Sequence, residues 1–457
     1  MTNFLKMRHK HSVALLAFLL FQLICRGAIA APSLRVACVG DSITAGYAVK
    51  SEDSYPTQLR SMVGNEFQQI RNFGISGTTL LKKGDSTYWN PNFLEAITDF
   101  QPHIVLLMLG TNDSKPQNWV HRDEFQTDYS ALVTRFRELR SRPTIIAMLP
   151  IPGVGEGAFQ IPPAVLASDI VPAVRAAAAA NNLPFIDTNT PFIGHPELIA
   201  DNIHPTPAGY KLIAELVANG LKQLPRFSAV SEPFLTSAEA AIEVPVSEGK
   251  DAFEVRYTLD GTLPTAKSPR YSKPIVVKST TVITAAVFED GKPGLASTLT
   301  LTKEPPHPAM PVAVTVPGLS YQLYQGLPGK IWRIGWDENL KVGEGAVSGL
   351  SLEPRKQDEW YAFTFSGRIN APTTGMYRFF LNARQGSRLL IDNGLVVQTA
   401  DYPGEYSGLV ALAAGSHDFL LHYFNASGAG HLKLDWEGPE LVRAPVSDSS
   451  FSRVVTP

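Results

Sequence analysis

Short apolar runs alternate with helical segments from residue 31 to about residue 225, and this alternation is the feature that most constrains the fold of the chain. Each run has the length and composition of a strand that is covered on both faces of a sheet. Strands that alternate with helices predict a doubly wound, parallel α/β domain. The expected strands are Leu34–Val39, Gln69–Phe73, Ile104–Leu109, Thr144–Leu149 and Pro184–Ile186.

The helical segments between these runs each carry one apolar face. Apolar residues between Phe125 and Leu139 recur every three or four positions, which places them along one side of a helix. The Ala-rich stretch 169–182 predicts another helix. Thr206 followed by Pro207 is typical of a helix N-terminus, and Gly220 is expected to end that helix.

Helical periodicity ends after residue 225, and strand-like alternation replaces it. Residues 226–304 predict a small β-sandwich, and residues 305–313 predict a Pro-rich, semi-rigid linker. Residues 314–445 predict a second β-sandwich or jelly roll, followed by a tail without regular structure at 446–457. A length of 457 residues accommodates this multidomain organisation.

The first thirty residues are typical of a signal peptide. Basic residues precede an apolar run at 13–24, and Ala28-Ile29-Ala30 follows as a small-residue cleavage signal before Ala31. We therefore expect an exported protein, either periplasmic or extracellular. The apolar run is too short for a stable membrane span, so no stable membrane insertion is expected.

Composition narrows the range of partners and cofactors. A net charge of −2 gives no indication of a nucleic-acid partner. His and Cys show no metal-ligand spacing, and no Gly-rich phosphate loop occurs, so we expect no metal and no other cofactor. Signal cleavage would leave Cys38 as the one cysteine, which is expected to be a buried, inert thiol.

Four polar segments follow the ends of the predicted strands, where open α/β sheets place their chemistry. They are Gly40-Asp41-Ser42-Ile43, Asn72–Gly77, Gly110-Thr111-Asn112-Asp113 and Asp201-Asn202-Ile203-His204. A serine hydroxyl becomes a nucleophile when a base takes its proton, and an imidazole is suited to that task. We therefore expect Ser42 as nucleophile and His204 as base, with Asp201 orienting the imidazole ring.

Acyl transfer also requires hydrogen-bond donors for the developing oxyanion. The backbone N–H groups of Ser42 and Gly77 and the side-chain amide of Asn112 are the candidates. Each residue taken alone also fits a structural role in a turn or at a helix entry. The order of all four segments along the chain favours a hydrolase.

In this order the segments resemble the sequence blocks of the SGNH (GDSL-type) esterase family, over residues 31–225. The resemblance implies a flavodoxin-like catalytic domain with Ser42, Asp201 and His204 as catalytic residues. It also implies an oxyanion hole formed by Ser42, Gly77 and Asn112. The chain lacks the Gly-x-Ser-x-Gly elbow of the ordinary α/β-hydrolases.

The two predicted sandwiches carry resemblances of their own. Residues 226–304 resemble the C-terminal sandwich of chitobiase/β-hexosaminidase enzymes, through Val255–Thr262 and the Pro-rich residues that follow. Residues 314–445 resemble the protective-antigen-type β-sandwich, which implies a glycan-associated module that either binds polysaccharide or acts as a spacer. Arg384-Gln385 stand where the calcium-binding lectin members carry paired Asp, so calcium-dependent sugar binding is not implied.

The substrate is expected to be an acylated glycan. Trp89 and Trp119 flank the second and third segments, and their rings either stack on sugars or cover the core. The polar loop 115–119 favours a short acyl group, so we predict an exported esterase that removes acetyl groups from carbohydrates. Two alternatives stay open: a lysophospholipase or thioesterase for longer acyl chains, and a glycan-binding surface protein with a vestigial esterase domain.

Overall fold

The structure, a computed structural model, describes residues 34–64, 67, 69–243, 254–325, 338–399 and 404–454. The predicted signal peptide, residues 1–30, lies outside the described residues. Among them, one helical stretch, Pro163–Ala180, is long and apolar enough to cross a membrane by length and composition alone. Its apolar side chains, among them Ile170 and Val174, pack into the core of the N-terminal unit.

The N-terminal α/β unit contains a parallel sheet with the strand order β2-β1-β3-β4-β5, the flavodoxin-like order. Its strands are β1 Arg35–Gly40, β2 Gln69–Gly74, β3 Ile104–Met108, β4 Thr144–Met148 and β5 Phe185–Ile186. Its helices are α1 Ser42–Ala45, α2 Tyr55–Met62, α3 Pro91–Phe100, α4 Pro116–Trp119, α5 Phe125–Arg137, α6 Pro163–Val165, α7 Val171–Ala180 and α8 Pro207–Lys222. A π-helical turn, Leu166–Ile170, joins α6 to α7.

Helices cover both faces of this sheet, as the apolar runs predicted. Successive residues of β1 point to opposite faces, because side chains alternate along a strand. Ala37 and Val39 pack against the layer of α3, α5 and α7, whereas Val36 and Cys38 pack against the layer of α2 and α8. The observed strands begin and end within one residue of the predicted ones.

Helix α8 begins where the sequence predicted, but it runs past the predicted end. The hydroxyl of Thr206 accepts a hydrogen bond from the Gly209 backbone N–H at 3.2 Å and caps the helix. The helix then continues through Gly220 to Lys222. A Cβ atom at Gly220 would stand 2.7 Å from the side chain of Leu295, so this glycine allows close packing against the middle unit.

The rest of the described chain forms antiparallel β-structure in two units. The middle unit contains β6 Arg226–Phe227, β7 Pro233–Phe234, β8 Ala238–Ala240, β9 Ile242–Glu243, β10 Glu254–Thr258, β11 Ile275–Val277, β12 Thr281–Glu289 and β13 Lys292–Lys303. The C-terminal unit contains β14 Thr315–Pro317, β15 Leu319–Gln325, β16 Lys341–Val347, β17 Tyr361–Ala371, β18 Gly375–Ala383, β19 Ser387–Ile391, β20 Gly394–Thr399, β21 Gly404–Leu412, β22 Gly415–Asn425, β23 Leu432–Gly438, β24 Leu441–Pro445 and β25 Phe451–Val454. Its two sheets, one built on β17 and β22 and one on β18, β21 and β23, enclose a shared apolar core.

The predicted tail at 446–457 differs from the structure. Residues 451–454 form β25, which pairs with β14 and β17. Phe451 is buried against the ring of Phe419, with 5.0 Å between ring centroids. Strand pairing and this buried aromatic side chain hold residues 451–454 in the sheet.

Both β units dock on the amino-terminal edge of the parallel sheet. Thr144, the first residue of β4, accepts a hydrogen bond from the Thr298 backbone N–H at 2.8 Å. Gln69, the first residue of β2, donates to the hydroxyl of Tyr406 at 3.0 Å. Ser42 follows the carboxyl end of β1, so the β units lie at the opposite edge of the sheet from the predicted catalytic residues.

Candidate active site

Ser42 stands in the first turn of the short helix α1, directly after β1. The side chain of Asp41 caps this helix by accepting the backbone N–H of Ile43 at 2.9 Å. The cap fixes the sharp change from strand to helix. Ser42 is 7% exposed and lies at the carboxyl edge of the sheet.

The turn Asp201–His204 holds the imidazole in one orientation. One carboxylate oxygen of Asp201 accepts the backbone N–H groups of His204 and Ile203, at 2.7 and 3.2 Å. The other oxygen lies 2.8 Å from Nδ1 of His204. The aspartate therefore anchors both the backbone and the ring of the histidine three residues later.

The opposite nitrogen of the same ring reaches Ser42. Nε2 of His204 lies 2.9 Å from Oγ of Ser42, across 162 residues of sequence. Because Nδ1 donates to a carboxylate, Nε2 carries the lone pair that can accept the hydroxyl proton. The structure thus brings the three predicted residues into one hydrogen-bonded series.

Asp201 stays ionised in this arrangement. Burial by itself would raise the pKa of Asp201, but hydrogen bonds from the backbone N–H and the ring of His204 outweigh that effect. The pKa of Asp201 therefore lies below its ordinary value. An ionised carboxylate at Nδ1 stabilises a positive charge on the imidazole.

The three oxyanion candidates lie on adjoining loops. Gly77 occupies the third position of the turn Ile75–Thr78 with φ +83°, a left-handed conformation that a type II turn requires there. The turn is tied to β1, because the Ile75 N–H donates to the Gly40 carbonyl at 3.0 Å. Asn112 donates one amide hydrogen to the Thr78 carbonyl at 3.2 Å and retains a second for a ligand.

Two buried carboxylates support these loops. Asp113 accepts the backbone N–H groups of Leu80 and Leu81 at 2.9 and 2.8 Å. Burial raises the pKa of Asp113 to about 7, despite these two hydrogen bonds. Burial also raises the pKa of Asp41, the helix cap. Both residues therefore support their loops through hydrogen bonds, next to Ser42 and Asn112.

Trp89 and Trp119, the predicted sugar-stacking residues, each have a hydrogen-bond partner for the indole N–H. The indole N–H of Trp89 donates to the Leu80 carbonyl at 2.9 Å, and the ammonium group of Lys82 lies 4.3 Å from its ring centroid. The indole N–H of Trp119 donates to Asp169 at 2.9 Å. These contacts favour loop packing, and sugar stacking by the two rings stays a prediction.

Sequence reasoning missed two aromatic residues that contact the histidine. The ring centroid of Tyr47 lies 4.3 Å from that of His204, and the centroid of Phe159 lies 5.1 Å from it. Tyr47 follows Ser42 by five residues, which is a usable local signal. Phe159 lies in a Gly- and Pro-rich loop more than a hundred residues away, where its sequence context indicates nothing beyond an irregular segment.

Within the described part of the chain, no cluster of three or more His, Cys, Asp or Glu side chains could hold a metal ion.

Two curated relatives match part of the chain. The chain is 31% identical over 210 residues to an acetylxylan esterase from Xylanibacter ruminicola, covering 42% of this chain and 43% of the relative. It therefore spans less than half of that relative's length. It is also 26% identical over 212 residues to an arylesterase from Vibrio mimicus, covering 46% of this chain and 98% of the relative.

Solved structures also match this part of the chain. A carbohydrate acetylesterase from Sinorhizobium meliloti aligns at 19% identity with a TM-score of 0.35, over 41% of this chain and 98% of that one. The aryl esterase from M. smegmatis aligns at 21% identity with a TM-score of 0.33, over the same shares of the two chains.

Family models match three successive parts of the chain. Residues 38–212 match the GDSL-like lipase/acylhydrolase family, residues 236–299 the chitobiase/β-hexosaminidase C-terminal domain, and residues 339–448 the PA14 domain, which is the protective-antigen-type domain. The chain therefore carries a GDSL-like lipase/acylhydrolase domain, followed by a chitobiase/β-hexosaminidase C-terminal domain and a PA14 domain.

Proposed function

We propose that this chain is a serine esterase that hydrolyses acetyl and other short-chain esters on carbohydrates through an acyl-enzyme. The observation that carries the proposal is the hydrogen-bonded series from Ser42 through His204 to Asp201. A hydroxyl, an imidazole with a free lone pair and an ionised carboxylate stand in the order that acyl transfer requires.

In the first half-reaction, Oγ of Ser42 attacks the ester carbonyl while Nε2 of His204 takes the hydroxyl proton. The oxyanion that forms accepts hydrogen bonds from the Ser42 and Gly77 backbone N–H groups and from the Asn112 amide. The Ser42 N–H is suited to this role because the first N–H groups of a helix have no partner within the helix. The imidazolium then gives its proton to the leaving alcohol oxygen, which leaves an acyl group on Ser42.

In the second half-reaction, His204 takes a proton from water, and the resulting hydroxide attacks the acyl group. Collapse of this second tetrahedral intermediate releases the carboxylic acid and returns the proton to Ser42. Asp201 carries its negative charge throughout, so it stabilises the imidazolium in both half-reactions. The series needs no cofactor.

Two observations support a carbohydrate ester as the substrate. The relative at 31% identity, matched over 210 residues, is an acetylxylan esterase. The loop after Asp113 is polar, with Gln117 and Asn118 both hydrogen bonded to Asp85, which favours a short acyl group.

We also propose that the protein is exported and that its C-terminal domains hold polysaccharide.

The docking of those domains limits their role in the proposed reaction. They contact the amino-terminal edge of the sheet, through residues such as Thr144 and Gln69, and Ser42 lies at the other edge. A glycan on the PA14 domain would therefore bind away from the reacting ester. It would keep a polymer near the enzyme without lining the site.

The test is acetate release by the protein starting at Ala31, from acetylated xylan and from nitrophenyl acetate and octanoate. The proposal expects acetate from the glycan, little octanoate hydrolysis, and loss of both activities in Ser42→Ala. A preference for octanoate would favour a lysophospholipase or thioesterase instead. Retention on a glycan column without turnover of any ester would favour a binding protein with a vestigial esterase domain.

A further inference from the structure

Two exposed aromatic rings stand against the imidazole of His204. Tyr47 is 44% exposed and Phe159 is 49% exposed, although both contact a histidine that is almost fully buried. Their rings meet nearly perpendicularly, with 6.0 Å between centroids. Exposed aromatic surface beside a reactive group is available to a ligand.

Phe159 is held there by an unfavourable backbone. Phe159 and Gln160 have φ of +54° and +62°, in a two-residue turn closed by the Ile161 N–H and the Ala158 carbonyl at 2.8 Å. Asn and Gly are the residues that such a turn prefers, and a phenylalanine is an outlier at positive φ. A strained aromatic residue kept beside a reactive group points to a ligand contact.

The loop that carries Phe159 is fastened to the turn that carries His204. Asn202 donates to the Gly157 carbonyl at 3.3 Å, and its own carbonyl accepts the Val154 N–H at 2.9 Å. The side chain of Gln160 accepts a hydrogen bond from Gln117 at 3.0 Å. The ring of Phe159 is therefore positioned with the imidazole, as part of the site.

We propose that Tyr47 and Phe159 form the leaving-group subsite and stack on the apolar face of the pyranose ring whose hydroxyl carries the ester. This inference rests on the proposed function. His204 must deliver its proton to the leaving oxygen, so the leaving group lies at the imidazole. The two rings that contact the imidazole therefore contact the sugar, since an aromatic face packs well on a ring of C–H groups.

The acyl transfer at this subsite balances without any further reactant. The bond between the acyl carbon and the sugar oxygen breaks, and the bond between the acyl carbon and Oγ of Ser42 forms. The Ser42 proton passes through His204 to the sugar oxygen. The aromatic pair binds the sugar and takes no part in the bond changes.

The kinetic test compares an acetylated methyl xylopyranoside with ethyl acetate, which has no ring in its leaving group. In Phe159→Asn, we expect the ratio of the two kcat/KM values to fall roughly fivefold to tenfold, the order of one lost aromatic contact. Asn suits the left-handed turn, so the unfolding midpoint should be no lower than in the wild type. Phe185→Ala is the matched control, because Phe185 is an exposed phenylalanine on the edge strand β5, and the ratio should not change.

An unchanged ratio in Phe159→Asn would overturn the subsite. The kcat/KM of Phe159→Asn for nitrophenyl octanoate, relative to that for nitrophenyl acetate, is a second readout. If this ratio falls while the ratio for the xyloside and ethyl acetate does not change, the two rings line an acyl-chain pocket and the sugar subsite is overturned.

A binding measurement tests the sugar subsite independently of the proposed esterase activity. The acetylated xyloside is titrated by calorimetry into Ser42→Ala and into Ser42→Ala/Phe159→Asn. We expect the second protein to bind roughly fivefold to tenfold more weakly. Weaker binding by the double variant, together with no ester hydrolysis by the wild type, would contradict the proposed esterase activity but support the sugar subsite. Equal binding by the two proteins, or no binding by either, would overturn the subsite.

Discussion

Two histidines of this chain hold an aspartate at the same distance, yet they belong to sites of different kinds. His204 of the GDSL-like domain and His417 of the PA14 domain each place Nδ1 2.8 Å from an aspartate oxygen, of Asp201 and Asp392 respectively. The other ring nitrogen distinguishes them. Nε2 of His204 faces the Ser42 hydroxyl at 2.9 Å, whereas Nε2 of His417 faces the Ala413 carbonyl at 2.9 Å.

This difference decides what each ring can do. A carboxylate and a carbonyl are both hydrogen-bond acceptors, so neither partner of the His417 ring has a hydroxyl proton to give. The ring of His204 faces the hydroxyl of Ser42, which does have one. A His–Asp pair is therefore no sign of catalysis by itself, and the third partner decides.

The buried pair in the PA14 domain has a structural role. The same oxygen of Asp392 also lies 3.2 Å from Nδ1 of His307, in the predicted Pro-rich linker. The backbone of His307 in turn pairs with Ala411 and Ala413. The carboxylate thus ties the linker to the hairpin of β19 and β20 and to the start of β22.

The largest effect is expected from removing the hydroxyl of Ser42. His417 has no such partner. Ser42→Ala should lower kcat for nitrophenyl acetate by about 10³-fold or more, because the nucleophile is lost. Steady-state kinetics on the purified protein measures this effect. The unfolding midpoint serves as a control and should remain near the wild-type value, since only one hydroxyl is removed. Full activity in this variant would contradict the proposed mechanism.

The second effect tests the aspartate of each pair by the same substitution. Asp201→Asn should lower kcat by about 10²-fold to 10⁴-fold, because an amide neither fixes the tautomer of His204 nor stabilises its positive charge. Asp392→Asn is the matched control and should leave kcat unchanged. Equal losses of kcat in the two variants would remove the distinction between the sites.

The pH profile of the wild type adds to this test. The lowered pKa of Asp201 keeps the carboxylate charged throughout the neutral range. Protonation of Asp201 should therefore add no step to the pH profile of kcat/KM in the neutral range. The stabilisation from ionised Asp201 is present above its ordinary pKa of about 4 and is lost as the pH falls through the lower folded value. A slope of two near neutrality would contradict an ionised Asp201.

A third, smaller effect appears in stability. Asp392→Asn should destabilise the PA14 domain by about 1–3 kcal/mol, because an amide cannot replace every hydrogen bond that the carboxylate makes with His417, His307 and the Asp418 N–H. Urea unfolding followed by tryptophan fluorescence would show a lower midpoint for this domain. A midpoint equal to that of the wild type would mean that the pair does not hold the linker and hairpin together.

The smallest effect concerns the exposed histidine–carboxylate pair of His195 and Glu197. His195 and Glu197 are also 2.9 Å apart, but their side chains are 58% and 65% exposed. Solvent screens such a pair, so Glu197→Gln should change neither kcat nor the unfolding midpoint measurably. A clear fall in kcat or in the unfolding midpoint would show that a short distance is enough to make such a pair matter, whatever its burial and its third partner.

The sequence by itself predicted what depends on neighbouring residues. The β-strands of the parallel sheet follow from apolar runs that are buried on both faces, and the cap at Thr206 follows from local hydrogen bonding. The contact of Asp201 with His204 follows from a spacing of three residues within one turn. The helix end predicted at Gly220 was wrong and the strand β25 was missed, because the contacts of Gly220 with Leu295 and of Phe451 with Phe419 join distant segments.

The tertiary structure alone decided which groups meet across the fold. It joined His204 to Ser42 over 162 residues, and it gave His417 a carbonyl in place of a hydroxyl. It also set the rings of Tyr47 and Phe159 against the imidazole. The spacing of residues fixes geometry only within a turn or a helix. Contacts between distant segments are fixed by the packing of the whole sheet and its loops, which no short stretch of sequence specifies.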